Sequence, residues 1–152
     1  MVDQYEEQLK FAVNLITIIE YARHRFAMFM DDMTLCHIAA DGSKFFITGL
    51  KLIEGMGHGL ISLNRDNDTV RFQCTIVANN PSIEVVREQL DRIVSQIIGY
   101  LSRDWMITEK AVPLPYEHRL FAIHKPWKLE INTHIIPRVN ETFDARLAVI
   151  CH

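Results

Sequence analysis

Apolar side chains recur with helical spacing from Tyr5 to Met30 and then alternate with polar ones, as in a sheet, through most of residues 34–78. Helical spacing returns from Ser82 to Leu101, and the last third alternates again. This order predicts a single α+β domain over residues 1–152. Two long helices pack on one antiparallel sheet, in the order α-β(4–5)-α-β(3).

The first helix is expected from Asp3 to Met30, with Asp3 as its cap and Glu6 completing a box-like start. Its polar stripe is narrow (Glu7, Lys10, Asn14, Thr17, Tyr21, His24), and most of the remaining circumference is apolar. A helix apolar on most sides is covered on most sides. The surplus surface is therefore expected to meet another element of the chain or another molecule. The second helix has an ordinary stripe (Val86, Leu90, Ile93, Val94, Ile97, Leu101) and needs only one packing partner. Asn79-Asn80-Pro81-Ser82 ends the preceding sheet and caps this helix.

Strands are expected at 34–40, 44–50, 51–54, 60–64, 69–78, 119–124, 128–136 and 145–151, with Asp41-Gly42 as a hairpin turn. Within 69–78, Val70, Phe72, Cys74 and Ile76 share one face, while Arg71, Gln73 and Thr75 share the other. The last strand is apolar on both faces, which predicts a central or covered position.

At 152 residues, 49% hydrophobic and 23% charged, the chain is ordinary globular material with enough apolar mass for one core. No internal repeat is visible in the sequence. A formal charge of −3 argues against a dedicated nucleic-acid binder. Residues 1–109 carry 10 Lys/Arg against 15 Asp/Glu, and residues 110–152 carry 6 against 4 together with four of the seven histidines. The acidic start does not read as a secretory signal, and no segment reaches a membrane-spanning length. Three cysteines without paired spacing fit reduced thiols, so a cytoplasmic location is expected.

Candidate chemistry is sparse. Gly55-Met56-Gly57-His58-Gly59 lacks the third glycine of a dinucleotide loop and the Gly-Lys-Ser/Thr of a phosphate loop. It reads as a hairpin loop, with a ligand loop at Gly55, Gly57, His58 and Gly59 as the sharper alternative. If residues 119–124 and 128–136 form a hairpin with His124 opposite Lys128, then His118 faces His134, close enough for two imidazoles to share a metal ion. Glu117 points the wrong way to serve as a third ligand in that register, and a one-residue slip would separate the pair. Cys36 and His37 point to opposite faces and cannot act as nucleophile and base for each other. Tyr116, Arg119, Phe121, Lys125, Trp127 and Lys128 interleave aromatic and basic groups as a base-stacking surface would, but the same hairpin places Phe121 on the buried face.

No catalytic constellation or cofactor signature emerges, so the reading is a small non-enzymatic interaction module: a self-associating adaptor, chaperone-like or regulatory protein. Phe11, Ile18, Phe26 and Phe29 of the first helix are expected to anchor a protein partner or a second copy, as in a homodimer. The alternative is a small-molecule or enzymatic domain with a pocket between sheet and helices, using His58 and the His118/His134 region.

Overall fold

The computed structural model describes residues 4–57, 59–108 and 117–152. Helix α1 (Gln4–Arg23) precedes strands β1 (Leu35–Ile38), β2 (Lys44–Ile47), β3 (Leu60–Leu63) and β4 (Val70–Asn80). Helix α2 (Ile83–Tyr100) precedes β5 (Trp105–Thr108), β6 (Glu117–His124), β7 (Leu129–Pro137) and β8 (Phe143–Cys151). The eight strands of the described residues form one sheet in the order β1-β2-β3-β4-β8-β7-β6-β5. Every pairing is antiparallel.

The α+β class and the single sheet agree with the sequence reading, but the strand distribution differs. The stretch 51–54 is a turn, and Trp105–Thr108 is an additional strand, so each helix is followed by four strands. The topology is thus one helix and a four-strand meander, repeated. The two units join through their last strands, β4 and β8, and the first strand of each lies at a sheet edge.

Opposed residues in an antiparallel ladder share a face, so the register sorts the side chains. Phe72 faces Val149, Cys74 faces Leu147 and Ile131 faces Val149. All of these are buried. Phe11, Leu15, Ile18 and Ala22 of α1 and Val86, Leu90, Val94 and Ile97 of α2 belong to the same buried cluster. Phe26 stacks on Phe72 with ring centroids 5.4 Å apart, and the Cys151 thiol lies 3.4 Å from the Ala22 carbonyl oxygen. Both helices therefore lie on one face of the sheet. The opposite, outer face carries Arg71, Gln73 and Thr75 of β4 beside Ile150, Ala148 and Arg146 of β8.

Helix α1 ends seven residues before the expected Met30. Arg25 (φ 56°) and Phe26 (φ 53°) are left-handed, and Ala27–Phe29 form a short 3-10 turn. That conformation is costly for a bulky residue, and here it is held by the full burial of the Phe26 ring. The expected cap, Asp3, lies outside the described residues. Ser82 caps α2 as anticipated, its hydroxyl accepting from the Val85 amide at 3.3 Å.

Candidate functional site

Helix α1 presents two apolar stripes on opposite sides. The inner stripe is Phe11, Leu15, Ile18 and Ala22, at i, i+4, i+7 and i+11, and is buried in the core. The expected anchors Phe11, Ile18 and Phe26 are therefore core residues of this chain, and Phe29 is partly buried against the same cluster and edge-on to Tyr21 at 4.8 Å. This corrects their assignment as a surface: the sheet face is wide enough to take them all.

What is left over is a second stripe. Tyr5, Leu9, Val13 and Ile16 fall on one side of the helix at i, i+4, i+8 and i+11, and they are 72%, 54%, 54% and 57% exposed. Glu6, Lys10, Glu20 and Arg23 border them and are exposed, the first two as an i,i+4 ion pair and the second two as an i,i+3 pair. Leu9, Val13 and Ile16 of this stripe remain more than half exposed in the folded chain. The excess of apolar positions in the sequence thus ends at the surface rather than against another element.

The glycine loop is built by packing. The Asn14 amide of α1 donates to the Leu52 carbonyl at 3.1 Å and holds the start of the loop against the helix. Gly55 is left-handed (φ 83°), which a glycine adopts without steric cost. Gly59 has another role: a Cβ built on it would lie 2.1 Å from the Phe72 ring. Gly57 meets nothing within 4 Å. His58, the loop's candidate ligand residue, lies outside the described residues. Beside the loop a cleft of about 570 Å³ runs between α1, α2 and Leu52–Glu54, lined by Gln8, Asn14, Glu54, Arg92 and Gln96 among others. It lies between the two helices and the loop rather than between sheet and helices, and neither His118 nor His134 lines it. The pocket and the His118/His134 pair of the alternative reading are therefore separate places.

The histidine pair forms, by a route the sequence did not show. Along most of the β6–β7 hairpin the register is one residue off the expected one: His124 faces Leu129, and Ala122 faces Ile131. The cause is Lys128, which takes a left-handed φ of 54° and belongs to the turn rather than to the strand. This places Phe121 on the outer face opposite Asn132, not on the buried face. A β-bulge between His118 and Leu120 then absorbs one residue and restores the expected pairing of His118 with His134, their ring centroids 5.6 Å apart. Glu117 faces Ile135 on the helix side and forms a two-pronged ion pair with Arg87 of α2, at 2.8 and 3.0 Å. That pair holds the Glu117 carboxyl below its ordinary range. Among the described residues, no three His, Cys, Asp or Glu side chains are grouped to hold a metal ion.

His134 is buried, and its Nδ1 lies 3.1 Å from the Asn132 side-chain oxygen. Desolvation first, then the charges of Arg71, His118 and Arg146, push it down to about 4. His118 is lowered by the same kind of burial and by Arg71, against the opposing pull of the Glu130 carboxylate. Burial thus disfavours the charged form of both rings, most strongly at His134. Trp127, a candidate base-stacking residue, is already occupied: His124 stacks on it at 4.0 Å, and the Arg23 guanidinium lies 4.3 Å from its ring centroid.

No helix of the described residues is long and apolar enough to cross a membrane. No protein-family model, curated protein or solved structure matches the chain.

Proposed function

We propose that this protein is a binding module of the adaptor, chaperone-like or regulatory kind, and that it self-associates through the outer stripe of α1. The observation that carries the reading is the four-residue exposed stripe Tyr5, Leu9, Val13 and Ile16 on the side of α1 opposite its core face. At 1.5 Å per residue it runs about 16 Å along the helix. Burying a Leu, Ile or Val side chain completely is worth about 1.5–3 kcal/mol. With about half of each already covered, roughly 1 kcal/mol per residue remains to be gained.

The occupant is a second copy of the same helix, packed antiparallel. The first turn of α1 is acidic (Glu6, Glu7) and the last turn carries Arg23. Antiparallel packing centred on the stripe opposes the two helix dipoles and keeps the two acidic first turns apart. Parallel packing would stack like charges. A two-fold pair of this kind is self-complementary, as closed dimers require.

Sedimentation velocity over a concentration series tests the proposal. The wild-type chain is expected to dimerise. Leu9→Glu with Ile16→Glu is expected to give a monomer with an unchanged far-UV circular dichroism spectrum. Ile18→Asp, on the core side, should instead unfold the chain. A wild-type monomer at every concentration, or a dimer that survives the double substitution, would sink the proposal.

A further inference from the structure

We infer that the outer face of the sheet holds a binding site for a small organic oxyanion, gripped between Arg71 of β4 and Arg146 of β8. The two residues lie on adjacent central strands. Arg71 is opposite Ile150 and Arg146 is opposite Thr75, so they flank the intervening pair Gln73 and Ala148 from its two sides. Ala148 is the small residue of that row and is fully buried, leaving room above it for two long side chains to approach each other.

A cavity of about 230 Å³ lies there, lined by Arg71, Arg146, Ser62, Gln73 and Thr75, with Phe45 and Leu60 forming an apolar wall. It is large enough for a carboxylate or phosphate group with a short apolar body. Two guanidiniums, two hydroxyls and an amide NH2 can all donate hydrogen bonds to an oxyanion, and the guanidinium fork matches the spacing of its oxygens.

The arginines themselves are under-satisfied. The Nε atoms of both are buried and have no hydrogen-bond partner among the described residues. Arg146 reaches Asp144 through its terminal nitrogen at 3.2 Å, and Asp144 is also bound by Arg138 at 3.1 Å and by the Asn79 amide. Arg71 feels Glu130 only at longer range, and among the described residues no carboxylate forms an ion pair with it. The Glu130 carboxylate accepts instead from Asn132 at 2.9 Å and lies 3.4 Å from His152 Nε2. A buried guanidinium nitrogen without an acceptor is costly, and an oxyanion in this cavity supplies the missing acceptors to both chains at once.

The Nε–H resonances of the arginines, followed by nuclear magnetic resonance, report this directly. The probes are inorganic phosphate, phenyl phosphate and benzoate, each titrated at constant ionic strength against chloride. Arg71 and Arg146 are expected to shift together and saturably. Phenyl phosphate should bind at least threefold tighter than inorganic phosphate, because its ring meets Phe45 and Leu60. Comparing phenyl phosphate with benzoate tells whether the natural group is a phosphate or a carboxylate. Arg71→Met should weaken binding at least tenfold, and Arg71→Lys should keep the charge but lose most of that affinity. Arg87→Met on α2 should leave it unchanged. Each variant's amide spectrum establishes that it is folded. Shifts no larger than those from chloride, or equal loss in Arg87→Met and Arg71→Lys, would overturn the inference.

Discussion

Replacing Gly59 by alanine is expected to destabilise the fold through a single collision. The Cβ it introduces would sit 2.1 Å from Cε2 and 2.4 Å from Cζ of Phe72. Carbon atoms in contact prefer about 3.5–4.0 Å, so the ring or the loop must move by more than about 1 Å. The ring has nowhere to go, because it is fully buried and stacked on Phe26, which is fully buried as well. The loop is held too, since the Gly59 amide donates to Leu50 at 2.7 Å and its carbonyl accepts from Thr48 at 3.2 Å. Overpacking of this kind costs about 1–3 kcal/mol. The stiffer unfolded chain returns about 0.4–1 kcal/mol, for a net loss of roughly 1–2 kcal/mol. At this chain length each kcal/mol moves the melting point by about 2–4 °C.

Two neighbours make the assay discriminating. Gly57→Ala meets nothing and its φ is not left-handed, so it should be neutral or slightly stabilising. Gly55→Ala has space but a φ of 83°, and should lose about 1–2 kcal/mol through the backbone alone. Urea midpoints and melting points of the three variants should separate these causes. Phe72→Leu, which shortens the opposing side chain, should couple to Gly59→Ala and not to Gly55→Ala. If Gly59→Ala proved as stable as Gly57→Ala, or added without coupling to Phe72→Leu, the packing argument would be refuted.

Two further outcomes follow from buried groups. His134 stays neutral in the fold down to about 4, whereas an unfolded histidine takes up its proton near 6.5. Its neutral burial therefore lets the fold keep full stability above about pH 6.5 and lose it as the pH falls toward 4, by roughly 3 kcal/mol in all. His134→Gln should flatten the stability profile in that window, and a parallel profile in the variant would refute the assignment. Cys74 and Cys151 are buried and pushed up to about 12 and about 11, mainly by desolvation, whereas Cys36 is exposed. Ellman's reagent should titrate one thiol in the native protein and three in denaturant; a second fast thiol would contradict the burial of β4 or β8.

What the sequence made legible was periodic and local. Helix α2 was readable at its start because Ser82 caps it, and along its body because its stripe is one-sided. Strand β4 was readable because Val70, Phe72, Cys74 and Ile76 alternate with polar neighbours. The early end of α1 was hidden because no glycine or proline marks it. A phenylalanine takes the left-handed turn, and only its packing on Phe72 makes that tolerable. Strand β5 was hidden because Trp105–Thr108 is four residues long, too short for alternation to stand out. The excess apolar surface of α1 was visible, but not which side would be exposed, since that depends on where the sheet lies. The pairing of His118 with His134 was reached through two cancelling features, a longer turn at Lys128 and a bulge beside Arg119. The Arg71 and Arg146 site joins strands some 70 positions apart, a juxtaposition that no local spacing encodes.

The junction of β4 with β8 has a consequence for how the chain comes off the ribosome. Strand β4 is the longest of the described strands and, with β8, the centre of the sheet, yet β8 follows all the other described strands in the chain. Until residues 143–151 have emerged, β4 can pair only with β3 and leaves the backbone N–H and C=O groups of its other edge unpaired, flanked by apolar side chains, the kind of edge on which nascent chains associate. The first helix and meander must wait in that open state while the second unit is translated, and closing the sheet then depends on a contact of very long sequence separation, which slows folding. A chain held with residues 143–151 still inside the exit tunnel should therefore be a substrate for holding chaperones, and one with those residues clear of the tunnel should not.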